Sequence, residues 1–240
     1  MEINRRELMT YFSKIVAITG ATCSCKPAFA QGLGGHVGCL IANNPLLQLQ
    51  ASGQLSQTTG NFGADQLLTR EINRLRSLMG INPVFFIFND AASPNALANP
   101  NSLVQGHTGT ILFGKRLMTL EYNQNAGSLD TIIGIIAHEF GHILEFSVGL
   151  LNPSARLELA ADYLAGWYIG VKHRGGETFQ VQSFARSLYN KGDYQFNQPG
   201  HHGTPNQRVQ AMSFGYKLAT ENNINNAQQA LQAARSTFSL

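Results

Sequence analysis

The stretch Ser128-Leu129-Asp130-Thr131-Ile132-Ile133-Gly134-Ile135-Ile136-Ala137-His138-Glu139-Phe140-Gly141-His142 decides how this chain is read. Ser128 supplies a cap and Asp130 an acid in the first turn, and the apolar run behind them predicts one helix to about Ser147. Within it, His138 and His142 stand at i,i+4, one turn apart on one helix face. That spacing lets two neutral imidazole nitrogens reach one Zn2+ at about 2.0–2.1 Å. Glu139 lies roughly 100° further around the helix. There it stands beside the ion without ligating it and can take a proton from metal-bound water. Gly141 keeps the helix surface low near the metal, although a mid-helix Gly costs about 1 kcal/mol relative to Ala.

With 7 His and 9 Glu in the chain, an HExxH pattern arises by chance in roughly one such sequence in a hundred. The next helix therefore has to decide. Ser154 caps it, and it is expected to run through Ile169. It carries Glu158 and Asp162, again at i,i+4, on a face otherwise built of Leu157, Ala161, Leu164 and Ala165. Two unpaired carboxylates on a core-facing helix are very unfavourable, and a divalent cation removes the problem. Glu158 becomes the third ligand. Asp162 accepts the far N–H of a ligating histidine and fixes its tautomer.

Three protein ligands leave the fourth position for water, which marks a catalytic rather than a structural zinc site. The implied reaction is metal-assisted hydrolysis of an amide, with Glu139 passing the water proton to the leaving amine. A tetrahedral oxyanion needs a further donor besides the metal. His202 is the candidate, just ahead of a helix expected to open at Pro205. Arg208, one turn inside that helix, is placed to pair with a carboxylate near the metal, while His201 reads as an ordinary loop histidine.

Outward from these helices the pattern is mixed. Ala64–Met79 has one apolar helical face, with Gly80 as its C-cap. Pro83–Phe88 and Thr110–Phe113 read as short buried strands, and residues 89–108, with Pro94, Pro100 and many Asn, as a loop. Residues 177–189, 205–220 and 225–236 are three more helices. The sum is an α+β domain over residues 64–240, mostly helical with a small sheet. Residues 31–63, rich in Gly, Gln, Asn, Ser and Thr, read as an extended or loosely packed lead-in in the position of a pro-segment.

Charged residues are 13% of the chain against 43% hydrophobic, which excludes charge-rich disorder. Neutral amides, 20 Asn and 17 Gln, do much of the solubilising. The net charge of +3 is too small for a nucleic-acid footprint, and no run reaches the ~18 apolar residues of a membrane span. Residues 1–30 look like an export signal. Arg5, Arg6 and Lys14 precede an eleven-residue apolar run, and Ala28-Phe29-Ala30 fits a cleavage site. The paired arginines resemble a twin-arginine signal, placing the mature chain in the periplasm or outside the cell. That segment holds four of the 17 basic and two of the 14 acidic residues, leaving 13 and 12 in the mature chain. Cys39 is then the lone thiol, so no intramolecular disulfide forms.

Taken together, His138-Glu139-Phe140-Gly141-His142 and Glu158-Leu159-Ala160-Ala161-Asp162 resemble the HtpX and CAAX-prenyl-endopeptidase family of gluzincins, including soluble periplasmic members, over residues 64–220. The resemblance implies a minimal zincin fold with Zn2+ on His138, His142 and Glu158, Glu139 as base, and Asp162 behind the ligands. It also implies an Asn-Ala loop, here Asn95-Ala96, and an edge strand at Gly109–Gly114. A polypeptide substrate would lie along Asn95, Gly109, Thr110, Ile111 and Leu112. The late His202 to Arg208 segment is similar to the family's His-Pro…Arg element, with Gly203-Thr204 inserted before Pro205. Gly203-Thr204-Pro205-Asn206-Gln207-Arg208 also looks like bacterial neutral zinc metallopeptidases.

Two rivals stand beside this reading. A peptide-deformylase-like hydrolase would use Cys39, but that residue precedes His138 by 99 positions in a weakly structured lead-in. A metal-stabilised, chaperone-like binding module without turnover would need no base at Glu139.

Overall fold

The computed structural model describes residues 43–90, 94–194 and 202–240. The expected export signal, Cys39, His201 and the first part of the lead-in lie outside the described residues. The chain is α+β and mostly helical, with a small mixed sheet of four strands.

Helix α1 (Asn43–Ala51) and strand β1 (Leu55–Ser56) come first. Both fall in the segment expected to be extended or loosely packed. β1 pairs antiparallel with β2 (Val84–Phe88), and Leu46 and Leu49 of α1 pack with Phe88, Leu97 and Leu112. Apolar residues at 46 and 49 are one turn apart, which is enough to seat a short helix on a sheet. Both elements precede the expected domain start at residue 64 and pack on its sheet.

Helix α2 (Phe62–Met79) follows. Asn61 caps its start by accepting the Ala64 N–H, and Gly80 closes it in the left-handed conformation. After β2 come β3 (Ala96–Asn99) and β4 (Thr110–Gly114), and the sheet order is β1-β2-β4-β3. The strand at Thr110–Gly114 was expected at the edge. It is instead internal, parallel to β2 on one side and antiparallel to β3 on the other. β3 lay hidden in the supposed loop because its four residues, Ala96-Leu97-Ala98-Asn99, sit between Pro94 and Pro100 and carry little strand propensity.

The sheet alternates cleanly. Phe85, Ile87, Ala96, Ala98, Ile111 and Phe113 enter the main helical core, while Phe86, Phe88, Leu97 and Leu112 face α1. Both faces are covered, so the strands read as continuous apolar runs rather than as alternation.

The helices are α3 (Lys115–Gln124), α4 (Asp130–Ser147), α5 (Ala155–Arg174), α6 (Val181–Lys191), α7 (Pro205–Thr220) and α8 (Ala227–Phe238). α4 is the central rod: every residue from Thr131 to Phe146 is buried. It packs against α5, β3 and α6. α5 and α7 cross in tight contact. A Cβ on Gly166 would fall 1.9 Å from the Met212 carbonyl, and one on Gly215 would fall 1.7 Å from the Tyr163 carbonyl. Between α2 and α5, the buried Glu71 carboxylate accepts from Tyr168 at 2.6 Å and from Lys172 at 2.5 Å. Among the described residues, no helix is long and apolar enough to cross a membrane.

Candidate metal centre

Three ligand-type side chains meet where α4 crosses α5. His138 and His142 are each 3% exposed and Glu158 is 7% exposed. The two Nε2 atoms are 3.1 Å apart, and the Glu158 oxygens lie 3.5 Å from each of them. Ligands about 2.0–2.1 Å from a tetrahedral ion are separated by roughly 3.3 Å, so this triangle has the size of one face of such a site. The group can hold a metal ion.

Local sequence accounts for the meeting. Ser154 caps α5 by accepting the Leu157 N–H at 3.3 Å, which puts Glu158 in the first turn. Gly141 lets the two helices close: a Cβ there would lie 3.0 Å from the Ala161 Cα. Ala161 is one turn beyond Glu158 on α5, so the close approach at Gly141 brings Glu158 in beside the two histidines.

Behind the triangle, each imidazole is held by a carboxylate. Asp162 Oδ1 lies 2.8 Å from His138 Nδ1. Arg208 grips Asp162 with two bonds, Nε to Oδ2 at 2.7 Å and an Nη to Oδ1 at 2.8 Å. The other holder was not foreseen. Glu145 Oε2 lies 2.8 Å from His142 Nδ1, and Glu145 is fully buried. The signal was available: a carboxylate three residues after His142 faces the same side of the helix. With both Nδ1 atoms engaged by carboxylates, both Nε2 atoms turn toward each other and Glu158, the orientation common to metal-binding histidines.

The electrostatics follow from burial and from these contacts. Burial alone pushes the Glu158 carboxyl up, but the imidazoles of His142, His202 and His138 more than reverse this and hold it well below the usual carboxylate range. Burial likewise opposes ionisation of Asp162, and Arg208 and His138 together keep its carboxyl below the ordinary value. Glu145 goes the other way: burial raises it, and His142 and His138 only partly offset that.

Glu139 is 1% exposed and lines a cleft of about 210 Å3 together with His138, Asn95, Lys191, His202 and Arg208. His202 reaches in from the loop before α7, its Nδ1 2.9 Å from Glu158 Oε2. That loop is set by a capping box of Thr204 and Gln207, with Pro205 in the first helical position. Asn95 reaches the cleft at the entry to β3. Gly109, Thr110, Ile111 and Leu112 do not line it, and Thr110, Ile111 and Leu112 are wholly buried between β2 and β3. The outer strand beside the cleft is β3, whose first residue Ala96 lines it. Tyr163 turns away to stack edge-on against Phe238, and Trp167 and Tyr168 are core.

A larger cleft of about 1010 Å3 opens between α2 and α3 and shares no residue with the metal cleft. Size alone would favour it, but convergent ligands mark the smaller one. Compared with known protein families, with curated proteins and with solved structures, the chain matches none of them.

Proposed function

We propose that the protein is a zinc-dependent endopeptidase that hydrolyses peptide bonds of exported or misfolded proteins. The observation that carries the reading is Glu139, buried on the wall of an open cleft beside three convergent ligand atoms. The donor set of two imidazoles and one carboxylate fits Zn2+, and three ligands suit a catalytic rather than a closed structural site.

Bound there, the ion would supply Lewis-acid polarisation of a water and of the scissile carbonyl. His138, His142 and Glu158 would hold it, with Asp162 and Glu145 keeping the imidazole Nε2 atoms turned toward it. Glu139 takes a proton from the attacking water and returns it to the leaving amine. His202, partly exposed at the cleft, donates to the oxyanion. Arg208 acts through Asp162, not on the substrate. Asn95 and the outer strand β3 replace Gly109–Leu112 as the substrate-facing backbone.

The test is hydrolysis of an unfolded protein by zinc-loaded wild type and Glu139→Gln, with zinc content measured on both. Retained zinc with hydrolysis lost supports the peptidase. Equal, near-zero turnover in both supports a metal-stabilised, chaperone-like binding module instead. Export is tested by the N-terminal sequence of the mature protein, expected to begin at Gln31.

A further inference from the structure

Two separate pieces of backbone form one wall of the metal cleft. Pro94, Asn95 and Ala96 enter from the start of β3, and Leu117 enters from the first turn of α3. A single side chain outside the cleft holds both pieces. Asp90, 4% exposed, accepts the Asn95 N–H on Oδ2 at 3.0 Å and the Leu117 N–H on the same oxygen at 3.0 Å. Its Oδ1 accepts the Arg116 N–H at 2.6 Å.

The surroundings are shaped to this carboxylate. α3 has Gly114 as its N-cap residue, which offers no side-chain oxygen to the free N–H groups of the first turn. Asp90 supplies that cap from a distance. A Cβ on Gly114 would fall 1.9 Å from Asp90 Oδ2, so glycine leaves the room the carboxylate occupies. Gly114 also donates its own N–H to the Asn95 carbonyl at 2.9 Å. Capping α3 alone needs only the bonds to Arg116 and Leu117. The bond to Asn95 does something else: it ties the helix start to the other half of the cleft wall.

The geometry points to Asp90 as a positioning residue for the substrate, an inference that rests on the peptidase reading of the cleft. It locks the Pro94–Ala96 segment and Leu117 at one separation, so that an extended polypeptide seats at one depth beside Glu139. Asp90 lines neither the cleft nor the ligand triangle, so its effect is on how substrate binds and not on the metal. Three donors on two oxygens need a carboxylate, and an amide offers one acceptor oxygen in its place.

The experiment uses the full zinc-loaded chain, a fluorescence-quenched extended peptide and the variants Asp90→Asn and Gly114→Ala, the second crowding both the Asp90 carboxylate and the Asn95 carbonyl without changing the charge. All are assayed well below their melting midpoints, with zinc affinity measured in parallel. Both variants are expected to raise KM about tenfold while kcat and zinc affinity stay within about twofold. Gly114→Ala carries the test if Asp90→Asn does not fold. Unchanged KM in a folded variant, or a loss of zinc affinity or kcat without a change in KM, overturns the inference and leaves the peptidase reading intact. Zinc-loaded wild type that neither binds nor cleaves the peptide overturns both.

Discussion

Glu145 lies one turn beyond His142 on α4, and its carboxylate meets the His142 Nδ1 at 2.8 Å in a fully buried setting. This is the counterpart of the contact between Asp162 and His138. Removing such a partner typically weakens metal affinity 10–100-fold. Glu145→Ala is expected to lose zinc affinity by about that factor, and Asp162→Asn by a similar factor, read by competition with a chelator of known affinity. Equal affinity in wild type and Glu145→Ala would show that this carboxylate does not orient His142.

Gly141 is expected to tolerate nothing branched. A Cβ would lie 3.0 Å from the Ala161 Cα, so even Ala requires a shift of a few tenths of an ångström, and a branched side chain has to push α4 and α5 further apart. Gly141→Val should cost about 1–3 kcal/mol of stability from overpacking. It should also lower zinc affinity, because Glu158 moves with α5 while both histidines stay on α4. Urea unfolding and zinc titration read the two effects. A destabilised variant with unchanged zinc affinity would separate the crossing from the site.

Metal removal should lower stability by mass action. At free zinc 100 times the dissociation constant the linkage amounts to about 2.7 kcal/mol, or roughly 5–10 °C in melting midpoint for a domain of this size. Chelator-treated protein is therefore expected to melt earlier than the zinc-loaded form, with the gap closing in His142→Ala. A midpoint indifferent to zinc would argue against occupancy of the triangle.

The far side of α5 provides a pH prediction independent of the metal. Burial pushes the Glu71 carboxyl up, but Lys172 and Tyr168 outweigh it and leave it below the ordinary value near 4.5. Its stabilising effect is thus present above the unfolded value and is lost as pH falls through the lower folded one. Glu71→Gln is expected to cost about 3 kcal/mol at neutral pH, since it takes from the buried Lys172 the closer of its two carboxylate partners and leaves Glu177 at 3.1 Å. The variant should lose less further stability than wild type on acidification. Urea midpoints between pH 3 and 7 check both statements.

Much of the site was legible because helical spacing converts sequence distance into direction. His138 and His142 share a face at any crossing angle, and so do Glu158 and Asp162. Glu145 is legible by the same rule, since it stands three residues after His142 at the polar end of an apolar helix. Helix α3 was missed for a related reason: Lys115-Arg116-Leu117-Met118-Thr119-Leu120-Glu121-Tyr122-Asn123-Gln124 is mostly polar and its neighbours are glycine and asparagine. β3 was missed because prolines flank a stretch of small residues, and that error moved the sheet edge from β3 to β4.

What the residues determined on their own is the set of groups that can bind a cation and the helices that carry them, since periodicity and capping act within a few residues. Which groups actually face one another depended on the folded chain. The close crossing at Gly141, the outer position of β3, the grip of Arg208 on Asp162 and the bond from the Leu117 N–H to Asp90 all join residues far apart in sequence. Such contacts are set by how covered faces stack, and no local pattern encodes them.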